Sequence, residues 1–506
     1  MGNELECNLS TESNESFFEL EKKLINEIQT NKNKEINLRL SKSEYSSLLK
    51  VLFTNQKLFY PKNDTNLSKF KSNIKKLRKK ILEIKKDSYP KKYYSLSCIL
   101  GAFLGDSLGS YCEFNNKDSE NYKSIFKGDN KFKKPPGQIT DDSEMAFSFA
   151  FAIMDTSDIK KIDSNIIYYY YGCWIKSKPF DCGKTIYNAL KFFDFNKSIG
   201  DDILSNIKFP EINNNSLSNG FLMRINTFVV WFYYCNYNYL NNIISKDDNE
   251  QYLELFNLIK ENGLKDNICT HLNKQANSAT GFFVFLALIA MLGYSSDIIL
   301  NKFNILLKNK FTDSNDNNVF NEINLALSEF KKSDFNKELF FFQYKKNDGY
   351  YFYSFKLTLY YLTFFDDYKA EQNYSKFRVI MNEICNFGGD TDTNCAIVAT
   401  VIGPIIGFDN FGDDLKTLLK CIPNDRIQYT NSLIYYYVDF LDKNKEQLNE
   451  NDNVSDNDSD NNDTIIPICD NDYDDTNHKE KKYKKQNVHY CTLNLLLSVI
   501  YNDIKI

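Results

Sequence analysis

Histidine is almost missing from this chain, with His271, His478 and His489 the only three in 506 residues. The twelve cysteines contain no C-x-x-C pair. A zinc site built from Cys and His is therefore not expected. Proline and glycine are also scarce, at 9 and 19 residues. So few turn-formers over such a length argue against a many-stranded sandwich or barrel and favour long helices. Long apolar runs are absent as well: the longest, around Phe282 to Tyr294, is too short for a membrane span and reads as a buried helix. The start, Met1 to Ser16, is polar and acidic and lacks the pattern of a signal peptide. The net charge of −5 leaves no global footprint for nucleic acid. These absences lead to an expectation of an intracellular, cytoplasmic protein with no membrane partner. Cysteines such as Cys98, Cys235 and Cys395 sit in apolar stretches and read as buried free thiols.

What is present is 42% apolar residues, with 34 Tyr and 41 Phe, enough for a large core. The abundant Asn, Lys and Ile carry the imprint of an AT-rich genome. Three textures follow one another. Residues 1–92 are polar and Lys-rich with apolar spacings of three and four, as in Phe18-Leu20-Leu24-Ile25-Ile28. Within them Lys69 to Lys86 is basic, with Leu77, Ile81 and Ile84 along one side. This segment reads either as a solvated helical hairpin or as a weak contact for an acidic partner or nucleic acid. Residues 93–447 carry small residues, clustered acids and long apolar helical segments. Residues 448–487 form a low-complexity acidic run, expected to be disordered because too few apolar side chains offset the ordering entropy. Residues 488–506 are apolar enough for a short terminal helix. The fold class expected is all-α: one compact multi-helix domain with a helical N-terminal extension.

Two acidic motifs lie at helix starts. In Gly137-Gln138-Ile139-Thr140-Asp141-Asp142-Ser143 the short oxygen-bearing side chains suit N-capping, but one Asp would suffice for that. In Gly388-Gly389-Asp390-Thr391-Asp392-Thr393 the two aspartates, two apart at a tight loop, aim at one point. Four carboxylates on two buried helix starts repel one another unless cations neutralise them. Oxygen-only ligands select a hard cation, so a binuclear Mg²⁺ site is the favoured account, with Mn²⁺ also suited.

These paired signatures resemble the ADP-ribosylglycohydrolase family over roughly residues 95–430. Further segments fit in the same order. Gly101-Ala102-Phe103-Leu104-Gly105-Asp106-Ser107-Leu108-Gly109, followed by Glu113-Phe114, is similar to the family's first helix and its glutamate. Pro179-Phe180-Asp181-Cys182-Gly183, Asn219-Gly220-Phe221-Leu222-Met223-Arg224, Thr270-His271 and the helix from Gly349-Tyr350-Tyr351 to Leu362 match in turn.

The resemblance implies a two-metal hydrolase that cleaves at C1″ of an ADP-ribose adduct, with an ADP-ribose-modified protein or a small ADP-ribose derivative as substrate. Thr140, Asp141 and Asp142 would hold one ion, Asp390 and Thr393 the other, and Asp392 both. Glu113, Asp142 and Asp181 would be the catalytic carboxylates, while Asn219, Gly220, Arg224 and His271 would bind substrate. Other readings stand beside these. Glu113 could cap the end of the first helix, Asp181 could cap the helix beginning near Lys184, and Arg224 could belong to a buried ion pair. His271 could be structural, and Asp106 reads better as a tie between neighbouring loops than as a catalyst. Phe221 stands where the family usually has a small residue, which puts a backbone phosphate cradle at Gly220 in question. Tyr168 to Tyr171 and Trp174 read as core. A monomer is expected. The rival from another class is a catalytically silent ADP-ribose-binding or structural relative, against which all six metal positions are filled.

Overall fold

The computed structural model describes residues 64–114, 134–156, 158–194, 202–342, 349–371, 374–421 and 431–444. The expectations for residues 1–63, for the acidic run and for the terminal helix fall outside the described residues. Among the described residues there are eighteen α-helices and no β-strand, which bears out the all-α class. No described helix is long and apolar enough to cross a membrane.

Two helices form the axis of the fold, Pro90–Gly109 and Thr391–Ile406. The first begins with Pro at its N-terminal turn, where the missing N–H costs nothing, and it is buried from Tyr93 to Gly109. Gly101, Gly105 and Gly109 recur every four residues and so share one face. A Cβ built at each would stand 2.9 Å from the Ala399 carbonyl oxygen, 2.6 Å from that of Cys395 and 2.4 Å from that of Thr391. The reciprocal contact comes from Gly403, whose Cβ would lie 2.4 Å from the Ser97 oxygen. The partners descend as the glycines ascend. The helices are therefore antiparallel, and their backbones touch where no side chain intervenes. This crossing sets the C-terminal end of one helix against the N-terminal end of the other.

Around this axis the remaining helices bury a single core. The Phe282 to Met291 stretch lies within the Lys274–Met291 helix and is buried throughout. Tyr168 to Tyr171 and Trp174, on the Ser164–Lys176 helix, are core residues as expected. Burying side chains of this size contributes about 1.5–3 kcal/mol each against exposure. The nine cysteines of the described residues are free thiols, six of them buried. The basic segment is helical over Asp64–Glu83. Its Ile74, Leu77 and Ile81, with Ile84 just beyond, are buried, while Lys75, Lys76 and Lys79 face solvent.

Candidate active site

The helix Asp141–Met154 starts beside the end of the glycine-faced helix. Thr140 is its N-cap, with Oγ1 3.4 Å from the Asp142 N–H. Asp106 holds this turn in place. Its carboxylate accepts the Thr140 N–H at 3.0 Å, the Ser143 N–H at 3.3 Å and the Ser143 hydroxyl at 2.6 Å. Asp106 is thus the tie between elements that its sequence context suggested. Burial pushes its carboxyl up to about 7, against the pull of these hydrogen bonds.

At the second motif the structure departs from the expected loop. The helix begins at Thr391, so Asp392 and Thr393 lie in its first turn and Asp390 stands at the N-cap. Gly388 and Gly389, at φ of +73° and +80°, make the sharp entry that allows this early start. The antiparallel crossing then brings Glu113, four residues past Gly109, to the same place. Carboxylate oxygens of Glu113, Asp390 and Asp392 all lie within 4.8 Å of one another. Thr393 joins the two acidic motifs, its hydroxyl 3.3 Å from Asp142 Oδ1. Asp141 Oδ2 accepts the Gly183 N–H at 3.2 Å, which draws the Pro179–Gly183 segment alongside.

The electrostatics of this cluster are unfavourable as it stands. Burial holds the carboxyls of Asp141, Asp142 and Asp392 well above the usual Asp range, and neighbouring carboxylates push them further. Asp181 is the main such neighbour for Asp141, Asp106 for Asp142 and Glu113 for Asp392. Among the described residues no Lys or Arg forms an ion pair with Asp141, Asp142, Asp390 or Asp392. Asp142 Oδ2 is buried with no hydrogen-bond partner among them. An all-oxygen set with an orphaned carboxylate oxygen is the donor chemistry of a hard divalent cation.

The comparisons with known proteins agree with this geometry. The sequence profile described as ADP-ribosylglycohydrolase matches residues 92–437. The chain belongs to the ADP-ribosylglycohydrolase family. Among its relatives is a protein of Acanthamoeba polyphaga mimivirus, named provisionally as an ADP-ribosyl glycohydrolase. It is 27% identical over 343 residues, which is 66% of this chain and 92% of that protein. The ADP-ribosyl-[dinitrogen reductase] glycohydrolase of Rhodospirillum rubrum is 32% identical over 103 residues, 19% of this chain and 33% of that protein. A solved structure titled "ADP-ribosylglycohydrolase-related protein complex" aligns at 17% identity with a TM-score of 0.42, covering 65% of this chain and 97% of that one. As a family member the chain is a glycosidic-bond hydrolase of ADP-ribose adducts, with a buried acidic cluster able to hold metal.

The other predicted residues divide between the cleft and the core. Glu113 does not cap its helix: the C-cap is Ser110, whose N–H donates to the Asp106 carbonyl. Asp181 does not cap the Lys184–Leu190 helix either, because Gly183 is the N-cap and no side chain bonds there. Asn219 is buried and donates Nδ2–H to Asp390 Oδ2 at 2.7 Å, tying its turn to the second motif.

Arg224 departs from its expected part in substrate binding. It is buried, pairs with Asp266 at 3.1 Å, and donates to the Gly220 carbonyl at 3.0 Å and the Thr270 hydroxyl at 2.8 Å. Its donors organise the Asn219 turn from behind. Gly220 is close-packed: a Cβ there would lie 3.1 Å from Ile186 and 3.3 Å from His271. Phe221 points into the core against His271 and Tyr351, so its bulk does not crowd the turn's outer face.

His271 is buried between two hydroxyls, Thr270 at Nδ1 and Ser218 at Nε2, each at 2.9 Å. Burial, with Arg224 nearby, holds its imidazole well below the usual His range, so it is neutral and positions Ser218. Sequence reasoning missed Asp266, which anchors Arg224 and accepts the Tyr171 hydroxyl at 2.6 Å. It also missed Glu144, whose Oε2 accepts the Trp174 indole N–H at 2.8 Å. Glu144 follows the first acidic motif directly, and its place in the first helical turn was the available signal.

Proposed function

We propose that this protein is a binuclear Mg²⁺-dependent hydrolase that cleaves the bond at C1″ of an ADP-ribosylated side chain or small ADP-ribose ester, reversing ADP-ribosylation. The observation that carries this reading is the meeting of Glu113, Asp390 and Asp392 within 4.8 Å, joined through Thr393 to Asp142. Thr140, Asp141 and Asp142 would hold one cation, Asp390 and Thr393 the other, with Asp392 between them; Mn²⁺ suits the same oxygens. Cations held there neutralise the clustered carboxylates, lower the pKa of water and add Lewis-acid character to the site.

The chain's own groups do the rest. Glu113, half-buried at the rim of the cluster, takes the proton of the attacking water as the bond to C1″ forms and returns it to the departing acceptor. The carboxylates of Asp142 and Asp181 stabilise positive charge that builds on the ribose as the old bond breaks. Asn219 and Gly220 place main-chain groups beside the cleft for the diphosphate, held there by Arg224 and by His271 through Ser218.

The test is to incubate the protein with Arg-linked and Ser-linked ADP-ribosyl peptides and with O-acetyl-ADP-ribose, in Mg²⁺ and in EDTA. ADP-ribose release from at least one substrate is expected, suppressed by EDTA and lost in Asp392→Ala. Release that survives EDTA sinks the metal assignment. ADP-ribose binding without release from any of the three would instead identify a silent relative.

A further inference from the structure

Three non-glycine residues of the described chain have positive φ: Lys178, Asp247 and Phe114. The first two end helices, where a left-handed residue is an ordinary stop. Phe114 is different. It lies five residues beyond Gly109, at φ +50°, a conformation that favours glycine and is an outlier for a bulky side chain. Its N–H donates to the Gly389 carbonyl at 2.9 Å, while the Thr391 hydroxyl donates to the Gly109 carbonyl at 2.7 Å. The turn carrying Glu113 is thus latched at both ends to the loop carrying Asp390.

The latch needs only the main chain, and glycine would make it with less strain. Core packing does not account for the phenylalanine, because the residue is 53% exposed. An aromatic residue held in a strained turn, next to Glu113 and turned outward, calls for a role at the site. We propose that Phe114 is a specificity-determining residue. Its ring forms the wall of the site that meets the acceptor, on the side where Glu113 returns the proton, and it holds the acceptor's carbon skeleton by apolar contact. This rests on the role given above to Glu113. It implies an acceptor that is a peptide or another group large enough to cover a phenyl ring, in preference to a small ester.

The experiment compares wild type, Phe114→Gly and Phe114→Tyr, using whichever ADP-ribosyl peptide the wild type hydrolyses. Phe114→Gly keeps the N–H latch and relieves the strain. It should unfold at a higher urea concentration than wild type and raise KM for the peptide at least fivefold, with kcat within twofold. Its Kd for free ADP-ribose, which lacks the acceptor, should be unchanged by calorimetry. Phe114→Tyr should restore the wild-type KM. An unchanged peptide KM in Phe114→Gly overturns the proposal, and so does a glycine variant less stable than wild type. If the wild type releases ADP-ribose from no peptide, the failure lies with the hydrolase reading and shows before any variant is made.

Discussion

Gly109 is the position where the fold and the chemistry meet, and Gly109→Ala tests that connection. The added Cβ would lie 2.4 Å from the Thr391 oxygen, 2.5 Å from Asp392 Cα and 2.6 Å from Asp392 N. Ordinary contact needs about 1 Å more, and because every obstacle is backbone, no rotamer change can relieve it. Overpacking of this kind costs about 1–3 kcal/mol, and the helix propensity gained from Ala offsets at most about 1 kcal/mol of that. The larger consequence is positional. Relief requires the start of the Thr391–Ile406 helix to move by about 1 Å, carrying Asp392 with it, and a misplacement of that size costs roughly 100-fold in rate.

Gly101→Ala is the matched control. Its Cβ would meet the Ala399 oxygen at 2.9 Å, two turns down the partner helix from the site. The assay is ADP-ribose release at saturating substrate, paired with urea unfolding of both variants. Gly109→Ala should lose about 100-fold in kcat while staying folded, and Gly101→Ala should lose stability with kcat within about threefold. Wild-type kcat in Gly109→Ala, or equal losses in the two variants, would refute the link between helix contact and ligand placement.

Further outcomes follow from the electrostatics. Folded-state pKa values of Asp141, Asp142 and Asp392 lie above their unfolded values, so the metal-free native state binds more protons than the unfolded chain. The stability contribution of these groups is therefore lost as pH rises from about 4 through the raised values, and bound Mg²⁺ takes the place of those protons. The rise in Tm on adding Mg²⁺ should grow from pH 5.5 to pH 8; an increment independent of pH counts against a buried acidic ligand set. Arg224→Lys cannot reproduce the fork to Asp266, Gly220 and Thr270. It should lower stability by about 2–4 kcal/mol in urea titration while leaving KM near wild type. A tenfold KM increase at unchanged stability would return Arg224 to the substrate.

Several features were legible from residue order because their causes are local. Scarce Gly and Pro with helical periodicity pointed to an all-α fold, and the two acidic motifs announced helix starts by their capping chemistry. Arg224 shows where that reading stops. Beside Asn219 and Gly220 it reads as a phosphate contact, yet Asp266, 42 residues on, draws it into the core. Glu113 looked equally able to cap a helix until the crossing set it beside Asp390 and Asp392. Phe221 looked like an obstacle to a main-chain cradle and is a core residue facing away from it.

Sequence alone determined the helices, the family resemblance and the inventory of oxygen ligands, since these depend on neighbours within a turn or two of the chain. Tertiary structure decided which acids meet. The four-residue spacing of Gly101, Gly105 and Gly109 lets two backbones touch in antiparallel register, and that register carries Glu113 to Asp390 and Asp392, nearly 280 residues away. Burial then raises the proton affinity of the assembled carboxylates, an effect that no isolated motif possesses, because it needs both the neighbouring charge and the exclusion of water.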